Sequence, residues 1–384
     1  MHSGIRINSD RLKEARLFRK MTLAELAELV GVNKQAISQF ENNKALPDPK
    51  TLREIADVLD FPYSFFAEED PQSTIGNTYF RALYSSKKKD LAAQQVKAKY
   101  LAKTHTILST KLRFKPLNLP VFDIKDPITI EEIAKRTREY WDLDTSPILD
   151  MVALLERNGI VVGEFATGSR DIDAFYQYYE ENNKPIFCVI LGTDKMSFFR
   201  RQFNCAHELG HILLHERYSD LNEIDREEFR DRENEANAFA AAFLLPADSF
   251  GRDVAVCPNR LSHYVELKKK WHVSIMAMIM RAHDLEYLTD NQYSYLMRQM
   301  NAHGYRQEEP LDNTIEYKHP QAFKQSIKLL MSDGNMSEND IMNLFAKNRF
   351  SLSPGVLEEL LNLEDGTLTQ KTEAKIIELS SLYI

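Results

Sequence analysis

Hydrophobic residues recur at helical spacing along most of the chain, and the first such stretch covers residues 5–66. There the pattern predicts five short helices, with Gly31 ending one helix and Asn33 capping the next. The apolar positions around this break have the spacing of a tight helix-turn-helix core; they are Leu26, Ala27, Val32, Ile37 and Phe40. The N-terminal part of the chain is therefore predicted to be a small helical domain.

The rest of the chain combines further helices with a few short apolar strands. Runs at 159–163, 173–179 and 185–191 predict a small β-sheet, and helical spacing returns on both sides of it. The predicted fold class is mainly α (α+β). It comprises an N-terminal five-helix domain, a helix-rich domain with a small β-sheet, and a C-terminal helical region.

Composition narrows the class of protein. At 384 residues and 43% hydrophobic content, two or three globular domains are expected. No apolar run approaches the length needed to cross a membrane, and the polar, basic start has no apolar signal region. The three cysteines, Cys188, Cys205 and Cys257, form no C-x-x-C pair, which excludes a cysteine-rich zinc site. We therefore expect free thiols and a cytoplasmic protein.

The stretch His207-Glu208-Leu209-Gly210-His211 carries the clearest chemistry. Positions four apart share a face of a helix, so both imidazoles can bind one metal ion. Glu208 stands beside the first imidazole, where it can hold a metal-bound water. This is the H-E-x-x-H arrangement of zinc peptidases, so we expect Zn²⁺ on the two histidines and Glu208 as the catalytic base. Mn²⁺ is the alternative ion, because such sites accept several divalent cations.

A catalytic zinc usually has three protein ligands, and the helix predicted at 231–246 offers two carboxylates. Glu233 and Asn237 share a face, so Glu233 is the preferred third ligand and Asn237 is expected to accept the free ring N–H of a ligand histidine. Glu235 is the rival ligand. It points about 200° away around the helix, on the same face as the apolar Phe239.

Three other side chains are candidates for a role at this site. If the helix continues, His215 lies about 12 Å along the axis from His207, too far to share one metal. Tyr176 and Tyr178 alternate on one predicted strand and could stabilise an oxyanion, although packing is the preferred interpretation. The sheet edge beside the zinc helix is where an extended substrate is expected to pair.

These motifs resemble the ImmA/IrrE family of metallopeptidases over about residues 120–310. The resemblance is carried by His207 to His211, by Glu233-x-x-Ala236-Asn237-x-Phe239-Ala240-x-x-x-Leu244-Leu245-Pro246, and by flanking patterns at 185–190 and 267–285. One departure is Cys205, which places a thiol where a hydroxyl is expected. The resemblance implies a zincin-like domain that cuts a repressor, often Xre-like, in response to stress or phage induction.

The N-terminal helices resemble the Xre family of phage-repressor-like domains, through residues 22–27, 31–32, 37–42 and Pro47. The resemblance implies that residues 33–41 form a recognition helix in the major groove of double-stranded DNA. The expected DNA contacts are Lys34, Gln35, Ser38, Gln39, Asn42 and Lys44. Lys and Arg nearly balance Asp and Glu in this part, so a monomer should bind modestly and a homodimer is expected to read two half-sites.

The segment after this domain is polar and then strongly basic. Pro71 and Gly76 predict a linker, and residues 85–115 have the spacing of a long basic helix. Three interpretations stay open for that helix: a solvated connection between domains, an added contact to the DNA backbone, or a dimerising helix.

The patterns together predict five segments. They are a helix-turn-helix domain at 1–70, a linker with a basic helix at 71–119, a peptidase domain at 120–255, its helical extension at 256–309 and a C-terminal helical region at 310–384.

Three functional hypotheses follow. The first is a DNA-binding regulator fused to a zinc endopeptidase that cuts an Xre-like repressor, in trans or within itself, with residues 68–84 as the candidate cut segment. The second is a regulator whose metal-site domain senses a ligand or partner without hydrolysis. The third is a toxin–antitoxin or phage-defence component. All three expect a DNA operator as partner and no membrane.

Overall fold

The computed structural model describes residues 7–69, 74–80, 88–122, 128–168, 173–181, 184–194, 197–215 and 225–369. Contacts divide the chain into two compact units. The first unit joins two distant parts of the chain, one up to residue 69 and one from 324 onward. The second unit holds residues 70–323 together with the short stretch 17–22.

The first unit begins with four α-helices and a 3-10 helix at Tyr63–Ala67. The α-helices are α1 (Ser9–Phe18), α2 (Leu23–Val30), α3 (Lys34–Glu41) and α4 (Pro49–Leu59). Gly31 makes the turn between α2 and α3 with a φ of 75°, a left-handed conformation that favours glycine. Asn33 caps α3 by accepting the Ala36 backbone N–H at 2.7 Å. These five segments match the five predicted helices, although Val32 and Phe40, predicted in the core, are only half-buried.

The second unit contains four strands and nine of the α-helices within the described residues. They are β1 (Thr74–Phe80), α5 (Lys88–Leu108), α6 (Ile130–Tyr140), α7 (Met151–Arg157), β2 (Val161–Phe165), β3 (Ala174–Glu181), β4 (Lys184–Gly192), α8 (Phe198–Leu214), α9 (Arg226–Leu244), α10 (Ala247–Val254), α11 (Leu261–Trp271), α12 (Ile275–Asp284) and α13 (Asp290–Ala302). The described residues are therefore mainly helical with one small mixed sheet, which confirms the predicted fold class.

The strands of this sheet lie in the order β1-β3-β4-β2. Strand β3 runs antiparallel to both of its neighbours, and β2 runs parallel to β4. Strand β1 comes from the segment predicted as a polar linker, and it pairs along the side of β3 that faces away from β4. This strand was not predicted, because Gly76 and Asn77, which are poor strand formers, interrupt its strand-favouring residues.

The basic helix α5 lies against the face of the sheet and is largely buried. Its Lys97 and Lys103 are only 4% and 7% exposed, and Lys97 Nζ lies 4.8 Å from the centre of the Phe165 ring. A Cβ added to Gly163 on β2 would meet Leu101 Cδ1 at 2.2 Å, so the glycine lets the helix lie directly on the strand. The interpretation of a solvated linker helix is therefore wrong: this helix is part of the core.

A second part of the core joins the sheet to helices α8 and α9. Cys205, Leu209 and Ile212 of α8 share one buried cluster with side chains of β3 and β4. Helix α9 packs along α8, and its C-terminal carbonyls are held by two arginines. Arg138 donates to Phe243 O at 2.5 Å, and Arg281 donates to Leu245 O at 3.1 Å. Helix α9 is thereby fixed alongside the helix that carries the H-E-x-x-H motif.

The C-terminal helices α14 (Ala322–Met331), α15 (Glu338–Lys347) and α16 (Pro354–Leu361) complete the first unit, except for the start of α14. Arg11 of α1 is 1% exposed; its guanidinium lies 4.7 Å from the centre of the Phe65 ring and 5.4 Å from that of Phe350. The Glu68 carboxylate accepts the Ser351 backbone N–H at 3.0 Å. The helix-turn-helix region and the C-terminal helices therefore share one core.

In the described part of the chain, no helix is long and apolar enough to span a membrane.

Candidate metal centre

Helix α8 brings two imidazoles together in a buried place. His207 and His211 are 3% and 2% exposed, and their Nε2 atoms lie 3.0 Å apart. The four-residue spacing puts both rings on one face of the helix, as the sequence predicts.

Helix α9 supplies a carboxylate to the same place. Glu233 Oε1 lies 3.1 Å from His211 Nε2, and Glu233 Oε2 lies 3.5 Å from His207 Nε2. One ligand atom from each of the three residues falls within 4.8 Å of the others, which makes a group that could hold a metal ion. Glu235, the rival carboxylate, points elsewhere and is not in this group. The structure thus brings together the three residues preferred as ligands.

Gly210, inside the motif, allows the two helices to approach closely. A Cβ at this position would lie 3.1 Å from the Cα and the carbonyl oxygen of Ala236, and 3.1 Å from the Phe239 ring. Because the nearest atoms are backbone, an added methyl group would press α9 away from α8. Glycine in a helix interior costs about 1 kcal/mol relative to alanine, so its presence in the motif was a signal that the sequence analysis did not use.

Two of the donors, His211 and Glu233, have the protonation states that a divalent cation needs. Burial lowers the pKa of His211 to about 3, so its imidazole is neutral at physiological pH. Burial opposes ionisation of Glu233, but its hydrogen bonds to His207 and His211 outweigh that effect and lower the pKa of the carboxyl. Two neutral imidazole nitrogens and one carboxylate form the donor set of a catalytic zinc, with a fourth position left for water. The residues present therefore fit the ion that the motif predicts.

Glu208 follows His207 on α8 and is also buried, at 3% exposure. Its position beside the first ligand is the one that the motif requires of a catalytic base.

His215 has a role that the sequence analysis did not foresee. Helix α8 ends at Leu214, and His215 adopts an extended backbone with φ −113° and ψ 152°. Its Nδ1 therefore lies 3.0 Å from the Nδ1 of His211, and its Nε2 lies 3.0 Å from Glu235 Oε2. As predicted, His215 is outside the ligand group, but the assumption of a continued helix placed it too far away.

Asn237 was predicted to receive a ring N–H from a ligand histidine. Among the described residues, no hydrogen bond joins Asn237 to His207 or His211; the Nδ1 of His211 meets His215 instead. The buried Nδ1 of His207 has no hydrogen-bond partner in the described part of the chain. That Asn237 accepts a ring N–H of a ligand histidine therefore stays a prediction, and it concerns this nitrogen of His207.

Tyr176 and Tyr178, both on β3, belong to the buried core. Tyr176 on β3 is 1% exposed, and its ring lies nearly parallel to that of His211, with centroids 6.3 Å apart. Tyr178 is also buried and donates to Glu180 Oε2 at 3.1 Å.

Burial raises the pKa of the Cys205 thiol to about 12, which leaves that thiol protonated and unreactive.

The predicted DNA-binding residues lie on and just after α3. Lys34, Gln35 and Gln39 are exposed, whereas Ser38 is half-buried. Asn42 and Lys44 are also exposed, but the Asn42 amide donates to Ser38 O at 2.6 Å and so helps to close the end of α3. Glu41, a buried residue at the end of α3, anchors the helix because its carboxylate accepts a hydrogen bond from Arg16 Nη2 at 2.8 Å.

Comparison with known proteins agrees with both parts of this description. Residues 12–66 match the helix-turn-helix family, and residues 155–283 match the IrrE N-terminal-like domain of peptidase family M78. The chain is also similar to the HTH-type transcriptional regulator SutR of Escherichia coli strain K12, with 38% identity over 79 residues. That match covers 21% of this chain and 44% of the relative, so it spans less than half of the relative's length. The chain therefore combines an N-terminal helix-turn-helix domain of the Xre type with an IrrE N-terminal-like domain of peptidase family M78.

Proposed function

We propose that this protein is a DNA-binding regulator that acts as a zinc-dependent endopeptidase and controls transcription by cutting an Xre-like repressor. The observation that carries the proposal is the buried group of His207, His211 and Glu233, with Glu208 beside it. The helix-turn-helix domain supports the link to transcription, since one chain holds both parts.

Each residue of the site has a separate task in this reaction. Zinc, when bound by the two histidines and Glu233, supplies a Lewis acid that lowers the pKa of water and polarises the scissile carbonyl. Glu208 takes the proton of the attacking water and passes it to the leaving amine. Tyr176, packed on His211, restricts rotation of that ring and keeps solvent from one side of it.

The substrate is proposed to be a repressor that the DNA-binding domain brings near, or this chain itself. Residues 68–84 are the candidate cut segment for self-cleavage. Of these, residues 74–80 form β1, while 70–73 and 81–84 lie outside the described residues. Mass spectrometry of the zinc-loaded protein, incubated alone and with an Xre-like repressor, separates cleavage in cis from cleavage in trans.

Metal content tests the site directly. We expect about one zinc per chain in the wild type and in Glu235→Ala, and loss of the metal in Glu233→Ala. A folded wild-type protein without metal would refute the peptidase proposal.

A Glu208→Gln variant separates hydrolysis from sensing. The amide keeps the size of the side chain but cannot accept the proton of water, so zinc and DNA binding should persist while cleavage is lost. If regulation of the target promoter survives this change, the metal domain acts as a sensor and not as a peptidase.

For the DNA contacts, we propose that Lys34, Gln35, Ser38 and Gln39 face the bases of an operator and that Asn42 and Lys44 lie near the phosphates of a dimer's half-site. Gln39→Ala should then relax preference at one base pair by about 1–3 kcal/mol. Lys44→Ala should weaken binding to all sequences alike and reduce its salt dependence. The assignment would be contradicted if Gln39→Ala and Lys44→Ala each lowered the affinity for specific and for nonspecific DNA by the same factor.

A further inference from the structure

The sheet has one edge beside the metal centre. Helix α8 packs on β3 and β4, and Tyr176 of β3 stacks on the ligand His211. Because β4 occupies one side of β3, the other side of β3 is the edge nearest to the ligands. A strand edge of this kind offers a row of backbone donors and acceptors to which an extended peptide can pair.

In this protein the edge is already taken by the chain itself. Strand β1 pairs antiparallel along β3, from Thr74 opposite Glu180 to Phe80 opposite Phe175. In this register Tyr79 lies opposite Tyr176, the residue that stacks on His211. The C-terminal end of β1 therefore lies level with the metal centre.

The pairing of β1 is interrupted. Its register shifts between Ile75 and Thr78, at Gly76 and Asn77, so the ladder is split into two short parts. Glycine and asparagine are both poor in strands, and here they separate two strand-favouring residues, Thr74 and Ile75, from the three that follow at 78–80. An interrupted ladder of this composition is one that another strand can replace.

We propose that Thr74–Phe80 is a resident strand that occupies the substrate-binding edge of the peptidase, and that an incoming substrate strand must displace it. The proposal rests on the proposed peptidase function and adds its regulation. Because β1 is tethered to the site, it competes at an effective concentration on the order of millimolar. A peptide that pairs only weakly with β3 therefore does not displace β1. A substrate held near the site at a comparable local concentration does.

The test measures binding without catalysis. The full chain carries Glu208→Gln and zinc, and the probe is a fluorescein-labelled peptide with the sequence of residues 74–80. In one variant, residues 74–80 are replaced by seven alternating Gly and Ser residues, which keeps the tether length but removes strand propensity. Thr78→Val is the matched control, because a β-branched residue preserves the strand.

We expect the Gly/Ser variant to bind the probe at least 10-fold more tightly than the parent and the Thr78→Val control. Amides of β3 should also exchange faster in that variant when no probe is present. Equal affinities in the three proteins, or no saturable binding to the Gly/Ser variant, would overturn the proposal. Should the replacement disturb folding, Thr78→Pro provides the same test with one removed N–H donor.

Failure of this inference is distinguishable from failure of the proposed function. With Glu208 restored, a gain in probe affinity without hydrolysis of any repressor would refute the peptidase function and leave the resident strand in place. Hydrolysis at equal rates in the parent and the Gly/Ser variant, with unchanged affinity, would refute the resident strand and leave the peptidase function.

Discussion

At the scale of single residues, the metal centre is extended by a hydrogen-bonded chain behind one ligand. If His211 binds metal through Nε2, its Nδ1 carries the proton and donates to His215 Nδ1. His215 then carries its own proton on Nε2, from which it donates to the Glu235 carboxylate. The chain fixes the tautomer of the ligand and orients its ring.

Loss of Glu235 is therefore expected to weaken metal binding without abolishing it. Glu235→Ala should lower zinc affinity about 10-fold to 100-fold, measured by competition with a chelator, because His211 loses its orientation. Glu235→Gln can still accept the His215 N–H and should restore most of the affinity. Glu227→Ala, an exposed change on the same helix, is the control. An equal loss in Glu235→Ala and Glu235→Gln would show that charge, and not the hydrogen bond, is responsible.

A half-buried histidine outside the metal centre, His105, makes stability depend on pH. Burial lowers the pKa of His105 from 6.5 to about 4, and its buried Nδ1 has no hydrogen-bond partner among the described residues. The unfolded chain therefore binds the proton more readily than the folded chain does. The stability contributed by neutral His105 is complete above pH 6.5 and is lost as pH falls from 6.5 to 4.

We expect this loss to be about 2–3 kcal/mol, measured by urea unfolding of the metal-free protein across that pH range. His105→Leu should lessen the loss between pH 6.5 and 4 by about this amount, and the pH dependence that remains comes from other buried groups such as His211. His303→Leu, at an exposed position, should leave the wild-type profile unchanged. A wild-type profile that coincides with that of His105→Leu would contradict the assignment.

At the scale of elements, the site depends on how closely α8 and α9 pack. Glu233 reaches the two histidines only because Gly210 lets the backbone of α9 come within contact distance. The helix with the motif and the helix with the carboxylate thus meet at a position with no side chain.

Gly210→Ala should consequently lower metal affinity more than it lowers stability. Alanine favours the helix by about 1 kcal/mol, which offsets part of the strain, but the added methyl group shifts α9 and moves Glu233. We expect at least a 10-fold lower zinc affinity by chelator competition, with a folded helical spectrum. Ala238→Gly, on the exposed side of α9, tests whether helix weakening alone has this effect. Unchanged affinity in Gly210→Ala would mean that α9 tolerates the shift.

The sequence predicted the two histidines, and the preference for Glu233 over Glu235, because helical spacing determines which side chains share a face. The approach of Glu233 to the histidines depends on how α9 packs on α8. The sequence did not predict the position of His215, since the end of α8 turns that residue back toward His211. It also misjudged α5, whose net charge suggested solvent. Lysine stems are long and apolar, so Lys97 and Lys103 lie within a core that charge counting does not reveal. Strand β1 was missed because its pairing depends on a distant strand and not on its own pattern.

At the scale of the whole molecule, the helix-turn-helix region is one part of a larger unit. Phe350 is fully buried, lies over the Arg11 guanidinium and packs near Phe345. The helices after residue 324 therefore contribute core to the unit that contains the recognition helix.

Phe350→Ala should destabilise this unit by about 3–5 kcal/mol, because it leaves a cavity beside a buried guanidinium. The expected result is an earlier thermal transition and weaker operator binding, with metal content unchanged, since the ligands belong to the other unit. Leu329→Ala, at a position that is 59% exposed, should change neither property. Loss of zinc together with loss of DNA binding in Phe350→Ala would contradict this separation.

The split of the first unit between the two ends of the described chain sets an order of assembly during translation. Residues 7–69 leave the ribosome before the peptidase domain, but their partners from 324 onward are made only after it. Joining two segments so far apart closes a long loop, which slows their association. Each newly made molecule therefore holds a finished peptidase domain before it holds a finished DNA-binding unit.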